Sequence, residues 1–214
     1  MLPAMIARWL CRFTLYGLSA AVVMVLLGHF NADTMLSPFG NTISVYAAMD
    51  PLGPVEVGIY VSGVACLSLW GAMMAARIHV GKILSTALIV GGGGFLLAAM
   101  IPTVEVDAPM TTGGWIHRYA SIVGCTALLV AALWLTRLAD REGWAEITVA
   151  LRATTWVSAL SGLAVIGSMF WGSREYIGLY ERILCASLLA TLIVVSAHLL
   201  RQPGIARRPV ALAV

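Results

Sequence analysis

Six stretches without a single Asp, Glu, Lys or Arg divide this chain almost end to end: Phe13–Phe30, Val57–Ala76, Ile83–Ile101, Tyr119–Thr136, Ala153–Gly172 and Ile183–Leu200. A helix that crosses a bilayer needs about 20 mostly apolar residues, within a range of roughly 17–25. Each stretch meets that length. Charged residues make up 11% of the chain, against about 25% in ordinary soluble domains. The expected fold is therefore all-α: a polytopic integral membrane protein built as a six-helix bundle. Six spans and their links use most of the 214 residues, so a single transmembrane domain over 1–214 is expected.

Basic residues orient the bundle. With the N-terminus placed inside, the inner ends carry Arg8, Arg12, Arg77, Lys82, Arg137, Arg141, Arg152, Arg201, Arg207 and Arg208, and the outer ends carry Arg118, Arg174 and Arg182; that is 10 against 3 of the 13 present. Short basic loops stay cytoplasmic, so both termini are expected in the cytoplasm. A multi-pass protein of the cell (inner) membrane follows. Arg8 and Arg12 also precede the first stretch as they would in a signal peptide, but Gly28–Asn31 offers no A-x-A-like site. It is kept as a helix. Aromatic residues gather at the span ends, with Tyr46, Trp115 and Trp171 expected at the outer interface and Trp9, Trp134 and Trp144 at the inner one.

The links are short, with one exception. The loop from Asn31 to Glu56 is broken by Pro38, Gly40, Pro51, Gly53 and Pro54. Within it, Thr42–Met49 reads as a short interfacial helix capped by Asn41 or Thr42. The charged link Arg137–Arg152 reads as carrying a short surface helix. Gly91, Gly92, Gly93 and Gly94 fall near mid-membrane. Such glycines let helices pack closely, permit a kink, or leave a groove for a lipid tail or pigment. Cys11, Cys66, Cys125 and Cys185 form no C-x-x-C pair and read as small buried apolar side chains.

The polar groups that ask for an explanation collect at one end. Glu56 opens the second stretch, Asp107, His117 and Arg118 precede the fourth, and Glu181 and Arg182 precede the sixth. Ionisable groups at that depth are costly unless paired, and often mark a site. One reading is a pocket roofed by the long loop. The other is structural ion pairing, Glu181 with Arg118 and Asp107 with Arg182. His117, Ser121 and Cys125 follow i, i+4, i+8 spacing and form one stripe, as do Glu181 and Cys185. His117 and Cys125 are about 12 Å apart by helical rise, so they make no nucleophile–base pair on one helix. His29 ends the first stretch near His117, but two histidines and an acid are a thin set for zinc. No metal and no cofactor are expected. No nucleophile elbow, zinc-protease helix, phosphate loop or dinucleotide fingerprint is present.

Three segments carry a resemblance: SPFGNTISVYAA at 37–48, VDAPMTTGGWIHRYAS at 106–121 and GLYERIL at 178–184. In order and spacing the chain resembles a prokaryotic six-helix membrane family of unknown function, domain of unknown function 998. The matching positions are Ser44 and Tyr46; Asp107, Gly114 and His117; Gly178, Leu179 and Arg182. The resemblance implies a fold and a place for the site, not an activity. The expected function is a non-catalytic membrane protein that binds a lipid or other hydrophobic ligand, a pigment included, or serves as an accessory subunit. Partners are then membrane lipid and a protein partner or second copy met through the helices, with no nucleic acid. Ser44, Tyr46, Arg118 and Arg182 are the ligand-binding candidates. The alternative is an enzyme acting on a lipid or isoprenoid at the outer interface, with His117, Asp107 and Glu181 as catalytic candidates. A small-solute transporter is the second alternative, and would want a broken helix at mid-membrane.

Overall fold

The computed structural model describes residues 2–30, 36–101, 103–104 and 108–202. These form α1 (Leu2–Phe30), α2 (Ile43–Met49), α3 (Pro54–Ala75), α4 (Gly81–Met100), α5 (Thr112–Glu142), α6 (Ala145–Phe170) and α7 (Ile177–Arg201), with a 3-10 turn at Arg174–Tyr176 before α7. No strand occurs among the described residues. Six of these helices are long and apolar enough to cross a membrane.

Several helices outrun the uncharged stretches that announce them. α1 begins at Leu2 and α5 continues to Glu142. Charge limits what lipid accepts, not where a helix ends. Long cationic side chains reach back along the helix surface: the Arg12 guanidinium lies 5.6 Å from the Trp9 ring, and that of Arg137 lies 4.4 Å from Trp134. The expected surface helix in Arg137–Arg152 does not form as a separate element. α5 and α6 instead meet at a tight turn. Gly143 takes the left-handed conformation, φ 71°, and the Trp144 amide donates to the Ala139 carbonyl at 2.8 Å. This six-to-one bond closes the helix as in a Schellman motif. Trp144, in the turn between the two spans, is buried. Its ring packs on His198, 4.6 Å away.

Consecutive long helices pack side by side, and α7 returns to lie against α1 and closes the ring. α7 is the most enclosed, whereas α1 and α6 expose much of their apolar surface. The tetraglycine lies in an unbroken α4 and serves two contacts at once. A Cβ on Gly92 would stand 2.9 Å from the Gly63 carbonyl of α3, and one on Gly94 would stand 2.8 Å from the Ala120 carbonyl of α5. Gly93 meets nothing within 4 Å.

Where lipid replaces water, burial of apolar groups no longer drives helices together, and packing and polar contacts take over. A ladder of hydroxyls binds α6 to its neighbours. Ser158 and Ser187 share a bond of 2.7 Å, Thr191 donates to Thr154 at 2.8 Å, and Thr136 and Thr155 lie 3.2 Å apart. Thr14 reaches the Ala65 carbonyl of α3 at 3.2 Å. At the end remote from α2, His198 Nδ1 pairs with Glu146 at 3.0 Å, tying the start of α6 to the end of α7.

Candidate functional site

A cavity of about 420 Å³ opens at the α2 end of the bundle, enclosed by α1, α3, α4, α5 and α7. Its position follows from the helix ends. α1 and α4 finish there, and α3, α5 and α7 start there. Residues near those ends supply the polar lining: His29, Ser44, His117, Glu181 and Arg182. Residues two turns further along are mostly apolar, among them Ala21, Val22, Phe95 and Leu189, with Ser62, Cys125 and Cys185. The lining is thus graded from polar to apolar along the bundle axis. Val22, Leu26 and Phe30 of α1, 39%, 54% and 84% exposed, and exposed Ala186 of α7 also line it. They mark a mouth on the apolar flank between α1 and α7.

The last carbonyls of any helix lack partners within it. His117 supplies partners to α4. Its Nδ1 lies 2.8 Å from the Ala98 carbonyl and 2.9 Å from that of Ile101. Both can only accept, so Nδ1 carries the hydrogen. The ring is 4% exposed, and Nε2 is buried without a hydrogen-bond partner. In the neutral ring that nitrogen is an acceptor.

Glu181 serves the opposite end of another helix. α2 has Thr42 at its N-cap position, but no side chain of its own loop caps it. The Ile43 amide donates instead to Glu181 Oε2 at 2.6 Å. Arg182 adds further ties. One Nη donates to the Asn41 carbonyl at 2.7 Å and to the Gly178 carbonyl at 2.8 Å. Its Nε donates to His29 Nε2 at 2.9 Å, and its other Nη also faces that nitrogen. His29 accepts there because its Nδ1 hydrogen points to the Val25 carbonyl, 2.5 Å away. Tyr46 stacks on the His29 ring with centroids 4.1 Å apart and lies 5.1 Å from the Arg182 guanidinium. Burial pushes the Tyr46 phenol above its ordinary range, against the pull of Arg182. Its hydroxyl donates to the Leu36 carbonyl at 3.2 Å. α2 is thereby held as a roof.

Of the residues singled out from sequence, Ser44, His117, Glu181 and Arg182 line this one cavity, and Tyr46 packs behind it. Ser121 and Cys125 continue the His117 stripe along its wall, and Cys185 continues that of Glu181. Cys125 and Cys185 meet through their thiols, and all four cysteines are free. Arg118 is exposed, with its guanidinium 5.1 Å from the Trp115 ring, and does not line the cavity. Neither do Gly91, Gly92, Gly93 and Gly94. Asp107 lies outside the described residues, and with it the Asp107–Arg182 pairing. No Glu181–Arg118 pair forms among the described residues; both Glu181 and Arg182 bind the α2 segment and its loop instead. The orienting partners of His117 are carbonyls, not Glu181. No group of three metal-ligating side chains occurs among the described residues.

Sequence reasoning missed the His29–Arg182 contact and the whole α1 wall. Ala21, Val25 and His29 recur at i, i+4, i+8, but in an all-apolar helix that spacing carries no contrast. Neither a curated protein nor a solved structure matches the chain. A match over residues 15–198, from within α1 to near the end of α7, places this chain in the family described as Protein of unknown function (DUF998).

Proposed function

We propose that this membrane protein binds an amphiphilic lipid-like ligand in the α2-end cavity, polar end under the roof and chain toward the α1–α7 mouth. The observation that carries this reading is the graded lining together with a mouth on the apolar flank. The cavity volume falls within the roughly 300–1,000 Å³ typical of ligand pockets, which are mainly apolar with a few placed polar groups. Entry from the flank suits a ligand that is dissolved in the bilayer. By the count of basic residues the α2 end faces away from the cytoplasm, so the ligand comes from the outer leaflet. An impermeant maleimide applied to intact cells checks this orientation at Leu52→Cys, a position 83% exposed in the link after α2. Failure to label there reverses the assignment.

The ligand reading is tested by extracting the protein with its surrounding lipid and weighing what stays bound by native mass spectrometry. Wild type should retain a discrete amphiphile. Ala186→Trp places a large ring at the mouth, on an exposed position that asks nothing of the core, and should retain much less. If wild type and variant carry the same bulk lipid, the reading is wrong. A second reading, an enzyme working on such a lipid, draws on one observation: His117 is fixed through Nδ1, its buried Nε2 has no partner, and the residue lines the same cavity as Glu181. It requires conversion of the retained lipid by the purified protein, lost in His117→Ala. The transporter alternative gains no support from α4, which runs unbroken through its glycines.

A further inference from the structure

We propose that the ligand's polar end is an uncharged hydroxyl, so that the cavity selects a long-chain alcohol or a glyceride with a free hydroxyl over fatty acids, lipid phosphates and amines. This rests on the cavity reading above and adds the chemistry of its closed end.

The donors and acceptors at the closed end decide which headgroup fits. An anionic headgroup is held best by charge-assisted donors, most often two parallel N–H groups of one guanidinium. Arg182 cannot present them. Its Nε and one Nη face His29, and its other Nη holds the Asn41 and Gly178 carbonyls. Of the five guanidinium N–H groups, one remains. His29 has its own hydrogen on Val25, and its acceptor nitrogen is taken by Arg182. What remains under the roof is that one N–H, the single hydroxyls of Ser44 and Ser121, and acceptor capacity. His117 Nε2 is buried and unpartnered, and the Glu181 carboxylate keeps lone pairs beyond the one given to Ile43. A ligand that brings a hydrogen-bond donor completes this end. A phosphate or carboxylate would lie against Glu181 with no donor pair to meet it. An ammonium would lie beside the Arg182 guanidinium. A hydroxyl can donate to an acceptor such as His117 Nε2 or a Glu181 oxygen, accept from a single donor, and bring no charge into the cavity.

The test uses the purified full-length protein in lipid nanodiscs, with 1-hexadecanol, its methyl ether, palmitate and hexadecylamine as probes. Affinity is read from thermal stabilisation at increasing probe concentration. The alcohol should bind roughly tenfold more tightly than the ether, the step expected for one neutral hydrogen bond to a buried acceptor. Palmitate and hexadecylamine should rank below the alcohol. His117→Phe should bring the alcohol-to-ether ratio close to one while chain binding persists. The wild-type comparison stands even if that variant does not fold. Equal binding of alcohol and ether overturns the proposal; water in the hollow of about 10 Å³ that His117 also lines would then be serving Nε2. Preference for palmitate or the amine overturns the hydroxyl assignment and leaves the cavity reading standing. Binding of none of the four to wild type removes the cavity reading itself.

Discussion

Gly178→Ala tests whether the roof is held by the start of α7. A Cβ built on Gly178 falls on the Asn41 carbonyl oxygen. That atom is backbone, so no side-chain rotation relieves the overlap, and the loop before α2 must withdraw. Three bonds depend on its present position. The Leu179 amide donates to the Phe39 carbonyl at 3.0 Å, Arg182 to the Asn41 carbonyl at 2.7 Å, and the Ile43 amide to Glu181 at 2.6 Å. A neutral bond contributes about 1 kcal/mol and one to a charged group about 1.5–3 kcal/mol. Loss of all three therefore removes roughly 4–7 kcal/mol. Neighbouring bonds do not add cleanly, so the lower figure is the better guide. It corresponds to a rise of about a thousandfold in the opening of the roof. Hydrogen exchange followed by mass spectrometry reads such local opening. Peptides covering Ile43–Met49 should lose nearly all protection, while those from the middle of α5 and α7 exchange as in wild type. Unchanged protection of α2 in Gly178→Ala would refute the claim that these bonds hold it down.

Two further outcomes follow from packing. Ser158→Ala and Ser187→Ala each remove one side of a buried 2.7 Å contact between α6 and α7; a double-mutant cycle on thermal stability should give a coupling of about 0.6 kcal/mol, the average for polar contacts between membrane helices, and at most about 1.7 kcal/mol, and strict additivity would show that the pair contributes nothing. Gly92→Leu should lower the melting temperature sharply, because its side chain would meet the Gly63 carbonyl, whereas Gly93→Leu, with open space before it, should change it little; equal effects would end the assignment of Gly92 to the α3–α4 contact.

Hydropathy made the six long helices legible because lipid imposes one requirement on every residue of a span, and eighteen or more residues repeat it. Helix ends were less legible. Uncharged runs end where Arg12 or Arg137 begins, but the helix continues, since those side chains lie over Trp9 and Trp134 and need no loop. The hydroxyl ladder of α6 was present in the sequence as Thr154 and Ser158, at positions i and i+4, with Ser187 and Thr191 one turn apart on α7. It passed unnoticed because Ser and Thr read as neutral on a hydropathy scale, although in lipid they are among the groups that choose a helix's neighbours.

The candidate site was half legible, and the division has a physical cause. Depth is a one-dimensional property that sequence carries well, so residues at one level, His117, Glu181 and Arg182, were found together, while Ser44 came from the family resemblance. Azimuth, the direction in which each faces around the bundle, depends on how helices are arranged, and no single segment contains that. Arg118 shares its depth with His117 but follows it by one position, about 100° further round the helix, and emerges at the surface against Trp115. Partner choice failed for a related reason. Opposite charges at one level suggested ion pairs, yet α2 and the loop before it bring unpaired amides and carbonyls to the same place. A side chain that meets the Ile43 amide or the Asn41 carbonyl gives both groups a hydrogen-bond partner at once. Glu181 and Arg182 therefore serve the roof rather than Arg118 and each other, and of the cavity-lining residues described, His117 keeps a buried nitrogen without a partner.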